Sequence, residues 1–415
     1  MKSAEEWFTE RGFVESATDP ELWNLLNKQS IPFYWGIDPT AESPHLGNWV
    51  GIIAAMQLES LGHKPVILVG GATGLIGDPS GKDMERPLLS KETIQANVDS
   101  LTKVLKQFLK NPIVVNNIDW FSKMSAIEFL RDVGKQFRLG PMLAKESVKN
   151  RLHSEEGMSY TEFSYQLLQG YDFYHLFEKQ GVLLQIGGSD QYGNITAGIE
   201  FTRRMTKKGV YGLTFPLLVR SDGKKFGKSE EGAIWLKKEL SSPFEMYQYL
   251  IRIPDKDVIQ MMKMLTLMDI EEIRAVEKEV QANPNFAQKK LAETVTKLVH
   301  GEAGLTEALQ ATEALTPGKM IFQEENLESA RENMPNVELM ADQVVGVPYV
   351  DVAVQSGLLG SKGEVRRLIQ NQGAYFNGKK VTDPQFVITK ESLLQENLCI
   401  LSAGKKKSLL IHVKF

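Results

Sequence analysis

The sequence predicts an α/β protein: a doubly wound parallel-sheet domain, followed by an α-helical domain and a small α+β module. Three observations lead there. Short apolar runs alternate with helical stretches through the first 220 residues, the pattern of a parallel sheet with crossover helices. Beyond Ser229 the glycines thin out, and residues 243–310 read as several helices with charged outer faces, as from Phe286 to His300. Residues 346–415 carry ten Lys or Arg against five Asp or Glu, a balance of +5 in a chain whose formal charge is −4.

In chain order, Ile31 to Ile37 is the first strand and Leu46 to Leu61 the helix after it. Pro65 to Gly70, Ile113 to Val115, Val182 to Ile186 and Phe215 to Val219 are the further strands. Residues 1–220 are expected to form one nucleotide-binding domain and 221–322 a lysine-bearing loop with a helical domain. The polar, acidic passage through Gln323-Glu324-Glu325 and Met334-Pro335-Asn336 suggests a linker over 323–345. In the last module, 346–415, Ser361 stands where a helix cap belongs, and Tyr375 to Val381 reads as a hairpin turning at Asn377-Gly378. Lys362, Arg366 and Arg367 on the helix, Lys379 and Lys380 on the hairpin, and Lys405 to Lys407 make RNA the expected partner. A plain solvated surface is the alternative.

Composition narrows the field. With 415 residues and 42% apolar content the chain can bury two or three cores. It has no run of 18 apolar residues, and its first residues lack the plan of a secretion signal, so a cytoplasmic protein without membrane contact is expected. Cys399 is the one cysteine and the six histidines are scattered, so the chain offers no disulfide and no paired metal-ligand spacing. A metal would arrive with a substrate phosphate.

Two segments carry the chemistry. A strand ending at Asp38 and turning into a helix near His45 leaves backbone N–H groups aimed above the sheet, where they favour anions. Thr40 and His45 can donate to a phosphate, and Gly47 lets a nucleotide approach the backbone. Alone, His45-Leu46-Gly47-Asn48 reads rather as a helix start with a solvent-facing histidine. The second segment, Asp222-Gly223-Lys224-Lys225-Phe226-Gly227-Lys228-Ser229, is not a P-loop: only three residues separate Gly223 from Gly227, and no helix follows. It is a glycine-hinged loop whose Lys225 and Lys228 can stabilise charge on a phosphoryl group. The glycine-rich run Gly70 to Lys82 is another loop where a ligand can approach backbone. Tyr165, Gln169 and Asp172 fall at i, i+4 and i+7, on one helix face. By spacing alone they read equally well as an amino-acid pocket or as a core aromatic beside surface polar groups.

Taken together, His45-Leu46-Gly47-Asn48, Lys225-Phe226-Gly227-Lys228-Ser229, the stretch Thr161 to Asp172, and Gln185 to Asn194 resemble the ordered motifs of the bacterial tyrosyl-tRNA synthetases, a class I family. The resemblance spans nearly the whole chain. It departs at Asn48, where the class pattern has histidine, and at the Phe226-Gly227 centre of the second motif. It implies a Rossmann-like catalytic domain, a C-terminal S4-type RNA-binding domain and a homodimer joined through residues 120–180. The implied substrates are L-tyrosine, ATP carrying Mg2+, and tRNA(Tyr). It further implies Asp78, Tyr165 and Gln169 at the substrate ammonium, and Tyr34 with Asp172 at its hydroxyl. Asp38, Gly47, Asn48, Asp190, Gln191, Lys228 and Ser229 would hold ATP. Catalysis would come from Thr40, His45, Lys82, Arg86, Lys225 and Lys228 around the phosphates, with no metal site of the protein's own. A related tryptophan enzyme, or an RNA-binding protein that keeps the fold without the chemistry, are the rival readings.

Overall fold

The computed structural model describes residues 3–80, 88–153, 157–221, 223, 226–229, 232–280, 282–283, 285–314, 335–404 and 407–415. The chain divides into two compact units, residues 1–241 with 249–299, and residues 242–248 with 300–415.

The first unit is built on a six-stranded sheet. Its strands are β1 (Ser16–Ala17), β2 (Pro32–Ile37), β3 (Lys64–Val69), β4 (Ile113–Asn116), β5 (Leu184–Gly188) and β6 (Tyr211–Phe215). They lie in the order β1-β6-β5-β2-β3-β4, all parallel except β1, which runs antiparallel on β6. Val66, Ile67, Leu68 and Val69 are all buried although they alternate faces, because crossover helices cover both sides of a parallel sheet. Helix α1 (Trp49–Ser60) is buried nearly all round, from Val50 to Leu58, as a helix enclosed by protein must be.

Two boundaries differ from expectation. The last parallel strand is β6 at Tyr211–Phe215, not 215–219. Pro216 has no N–H to continue the ladder, and Leu217 and Val219 beyond it are exposed. The helix expected to begin near His45 begins at Trp49. Residues 44–46 are held extended instead: the Leu46 N–H donates to the Ile234 carbonyl at 2.7 Å, and the Leu236 N–H to that of Pro44 at 2.9 Å.

Helices 255–265 and 270–279 also belong to the first unit. Arg11 donates to the carbonyls of Lys263 (3.0 Å), Thr266 (2.9 Å) and Met268 at the end of the former helix and the turn beyond it, and Trp49 Nε1 donates to that of Leu265 at 2.9 Å. The helical stretch 286–314 breaks at Gly301, whose φ of +73° favours glycine.

The second unit holds a five-stranded sheet. β9 (Asn336–Met340), β10 (Ala374–Phe376), β11 (Lys379–Lys380), β12 (Leu398–Ala403) and β13 (Lys407–Lys414) lie in the order β11-β10-β12-β13-β9. The stretch expected to be a linker lies outside the described residues as far as 334. From Asn336 it instead joins this sheet, β9 running parallel to β13, because Val337 and Leu339 alternate onto the core. Ser361 caps helix Lys362–Gln370 by accepting from the Glu364 N–H, and Asn377-Gly378 turns the hairpin with both φ positive. Lys405 and Lys406 lie outside the described residues. Burial pushes the Cys399 thiol up to about 12, which marks it as a core residue.

Gly51 in α1 tests how tightly helix and sheet are joined. A Cβ there would lie 2.7 Å from the indole of Trp35 on β2. Alanine is better than glycine in a helix by about 1 kcal/mol, while overpacking a core costs about 1–3 kcal/mol. The clash wins, so Gly51→Ala is expected to lower the thermal midpoint; a raised midpoint would mean that Trp35 can move aside.

Candidate active site

The chain order reverses between β2 and β5: from β2 the crossovers run outward to β3 and β4, and β5 and β6 lie on the other side. Ligands bind above such a switch point, at the carboxyl ends of the strands. Most of the residues in question follow those ends. Asp38 follows β2, Thr73 and Asp78 follow β3, Asn117 follows β4, and Asp190 and Gln191 follow β5. Tyr165, Gln169 and Asp172 come from one face of helix α2 (Tyr160–Gln180), all buried.

One hydrogen-bond chain runs across this edge. The Tyr165 hydroxyl donates to Asp38 Oδ2 at 2.9 Å, and Thr73 Oγ1 donates to Asp38 Oδ1 at 2.7 Å. Asn117 Nδ2 donates to Thr73 Oγ1 at 3.0 Å and to Asp172 Oδ2 at 3.1 Å, and Trp120 Nε1 donates to Asp172 Oδ1 at 2.9 Å. Gly70 is required beneath the chain, since a Cβ would stand 2.1 Å from Thr73 Oγ1 and 2.2 Å from Asp38 Oδ1. At the far end lies Tyr34, buried on β2, whose hydroxyl has no hydrogen-bond partner among the described residues. Burial and the neighbouring Asp172 charge push its pKa upward.

A second cluster surrounds Asp78. Gln191 Nε2 donates to Asp78 Oδ2 at 2.7 Å, Asn194 Nδ2 to Asp78 Oδ1 at 3.3 Å, and Gln169 Nε2 to Gln191 Oε1 at 3.3 Å. Gln191 Nε2 also lies 3.4 Å from Asp190 Oδ2. Burial, then the charges of Asp38 and Asp78, push the Tyr165 phenol upward, so two carboxylates act on one enclosed point. Such a point suits a cation. Lys145 lies close by: its Nζ donates to the Gly193 carbonyl at 2.6 Å, and burial lowers its pKa to about 8 against the pull of Asp78.

The turn after β2 is built from its own side chains. Asn48 Oδ1 accepts from the His45 N–H at 3.0 Å, and His45 Nδ1 accepts from the Gly47 N–H at 3.0 Å. An accepting Nδ1 belongs to a neutral imidazole with its proton on Nε2. Thr40 is exposed. Phe226 and Gly227 pack directly on this turn: a Cβ on Gly227 would lie 2.7 Å from the Gly47 nitrogen, and the Gly227 N–H donates to the Tyr249 hydroxyl at 2.7 Å. Phe226 is buried with its ring 5.7 Å from that of Tyr249. Lys82, Arg86 and Lys225 lie outside the described residues, as do the side chains of Lys228 and Ser229, whose backbone forms β7 (Lys228–Ser229) paired with β8 (Gly232–Ala233).

Sequence reasoning missed Thr73, Asn117, Trp120, Lys145 and Asn194. The exit of β4 carried a signal: two asparagines directly after an apolar run, at the edge where ligands bind.

Residues 26–316 match the family model for tRNA synthetases class I (W and Y), and residues 326–411 match the tyrosine–tRNA ligase SYY-like C-terminal domain. A tyrosine–tRNA ligase of Protochlamydia amoebophila is 49% identical over 423 residues, covering 100% of this chain and 99% of that protein. A chloroplastic/mitochondrial tyrosine–tRNA ligase of Arabidopsis thaliana is 46% identical, covering 97% of this chain and 82% of that one. Among solved structures, a C-terminally truncated mitochondrial tyrosyl-tRNA synthetase of Aspergillus nidulans superposes with a TM-score of 0.66 at 32% identity, covering 74% of this chain and 92% of the other.

Burial pushes the Asp172 carboxyl up to about 8, against the hydrogen bonds from Asn117 and Trp120 that lower it. An unfolded aspartate titrates near about 3.9, so the fold favours the protonated form. That contribution is whole below about pH 4 and is lost as pH rises toward about 8, at up to about 1.4 kcal/mol per pH unit. Asp172→Asn keeps the shape without the charge. The thermal midpoint of the native protein is expected to fall relative to the variant's between about pH 5 and 8; parallel curves would mean an ordinary carboxylate.

Proposed function

We propose the chemistry of a chain that belongs to the tRNA synthetases class I (W and Y) family and is a tyrosine–tRNA ligase. It activates L-tyrosine with ATP and passes it to the 3′ end of tRNA(Tyr). The tyrosine carboxylate attacks the α-phosphorus of ATP, the bond to pyrophosphate breaks, and a mixed anhydride forms. A hydroxyl of the terminal adenosine then attacks the carbonyl and AMP leaves. No side chain acts as nucleophile, so the protein's contribution is positioning and charge stabilisation.

The observation that carries the choice of tyrosine is the buried Tyr34 hydroxyl beside Asp172, which has no hydrogen-bond partner among the described residues. A phenol entering there accepts from Tyr34 and donates to Asp172. An ammonium at the other end meets Asp78, Tyr165 and Gln169, within the field of Asp38 and Asp78. Phenylalanine would leave Tyr34 and Asp172 unmatched, and an indole has no oxygen to accept from Tyr34. Each orphaned buried group costs about 1–3 kcal/mol.

The adenylate lies over the turn of Asp38 to Asn48, with Asp190 and Gln191 toward the ribose. Asn48 stands in for the class histidine by fixing the turn, since its carbonyl oxygen is taken by the His45 N–H. His45 donates from Nε2, beside Thr40, Lys82, Arg86, Lys225, Lys228 and Ser229 around the phosphates. Among the described residues no cluster of three metal-ligating side chains occurs; magnesium enters as the ATP complex, held by phosphate oxygens.

ATP–pyrophosphate exchange tests this reading. Exchange is expected with tyrosine and not with tryptophan or phenylalanine, and Tyr34→Phe should narrow the tyrosine-to-phenylalanine ratio by about 10-fold. In the same assay Lys228→Ala should lose about 10²- to 10³-fold in rate. Tryptophan-only exchange, or RNA binding without any exchange, would overturn the assignment.

The working form is a cytoplasmic homodimer. Ile127, Leu130, Leu139 and Leu143 expose apolar side chains within the segment expected at the interface, and a second copy covering them is isologous by symmetry. Among the described residues no helix is long and apolar enough to cross a membrane. Light scattering should give twice the chain mass, with Ile127→Asp plus Leu139→Asp shifting it to the single-chain value; a native single-chain mass would end the dimer reading.

A further inference from the structure

Asp172 is held by an indole that is itself held from outside the pocket. Trp120 stands on helix 118–121, a four-residue helix just past β4. Its Nε1 donates to Asp172 Oδ1 at 2.9 Å, and its ring stacks on the His175 imidazole with centroids 4.3 Å apart and planes at 19°. Asp172 and His175 are three residues apart on α2, so neighbouring positions of one helix grip the same indole by its edge and by its face. The rest of Trp120 packs against the cluster of Tyr34, Val66, Leu68 and Phe173.

A single hydrogen bond leaves a ring free to turn about the N–H···O line. A stacked partner removes that freedom, because the plane is then fixed as well as the point of contact. The Asp172 carboxyl is therefore set by Asn117 on one oxygen and by an indole of fixed plane on the other. His175 is half-buried, and burial followed by the Lys179 charge lowers its pKa, so near neutral pH the pair is a contact of two uncharged rings.

We propose that His175 is a positioning residue for substrate selection, aligning Trp120 and through it the carboxyl that meets the tyrosine hydroxyl. This rests on the assignment of Asp172 to that hydroxyl. A phenol hydrogen bond depends on carboxyl direction, whereas ATP lies over a different part of the strand edge. Loss of the stack should therefore act on tyrosine and not on ATP.

The experiment measures steady-state ATP–pyrophosphate exchange for His175→Ala, His175→Phe and Asp172→Asn. His175→Ala is expected to raise the KM for tyrosine by about 2- to 10-fold, the range an aromatic pair contributes, with kcat and the KM for ATP unchanged. It should also lower the tyrosine-to-phenylalanine ratio, and His175→Phe, which restores a flat ring, should recover both. A His175→Ala enzyme with unchanged tyrosine KM, or with tyrosine and ATP affected alike, would overturn the proposal, as would failure of phenylalanine to rescue. Asp172→Asn separates the two layers. If it leaves the tyrosine-to-phenylalanine ratio intact, the assignment of Asp172 itself falls; if it collapses the ratio while His175→Ala does nothing, only the role of His175 falls.

Discussion

Asp172 is enclosed in a sheet-and-helix core, and a carboxyl there is tolerated only if its oxygens are met. Desolvation disfavours its charge strongly enough to move its titration from the acid range to about 8. Asn117 and Trp120 supply the two donors, and both come from the exit of β4. Asn117 also binds Thr73, Thr73 binds Asp38, and Asp38 binds Tyr165, which returns to the helix that carries Asp172. The ring of contacts thus fixes the loops after β2, β3 and β4 against α2. A change at any member is passed to its neighbours along the chain, because hydrogen bonds in a dry site polarise and orient one another.

Among the described residues, backbone joins the turn after β2 to the segment around Gly227. Residues 44–46 bridge to 234–236, and the Ile234 N–H donates to the Gly227 carbonyl at 2.9 Å. Gly227 lies against the Gly47 nitrogen with no room for a Cβ, so the lysine-bearing segment is anchored at its centre on the turn that follows β2. The Phe226-Gly227 pair, a departure when seen as a pattern, is here the anchor itself: one residue buried against Tyr249, the other supplying a φ of +81°.

Much of this was legible in the sequence where a local period carried it. The strands β2 to β5 announce themselves as short apolar runs, and the face of Tyr165, Gln169 and Asp172 follows from helical spacing alone. The Ser361 cap and the Asn377-Gly378 hairpin are likewise local chemistry. What could not be read is set by partners far away in the chain. The helix after β2 starts late because residues 44–46 are taken by 234–236, and β9 belongs to the last sheet because β13 pairs with it. Thr73, Asn117 and Trp120 each sit at or in a short helical turn just past a strand, too brief for a period to mark a residue, and only the closed sheet brings these exits together.

This division has a physical origin in how the fold separates support from recognition. The strands supply a rigid edge whose formation depends mostly on apolar, β-branched runs packed on both faces. Recognition depends on a few polar groups at the exits, each with one geometry and one set of partners. His45 illustrates the difference: its imidazole is oriented by the Gly47 N–H two residues on, yet the turn that makes this possible is held by Asn48 and by a bridge to Trp235. The imidazole is thus the last link in a series of constraints, and the earlier links are one amide side chain and ordinary backbone. A substitution at the histidine removes one ring, whereas one at the bridge shifts the whole turn that carries it.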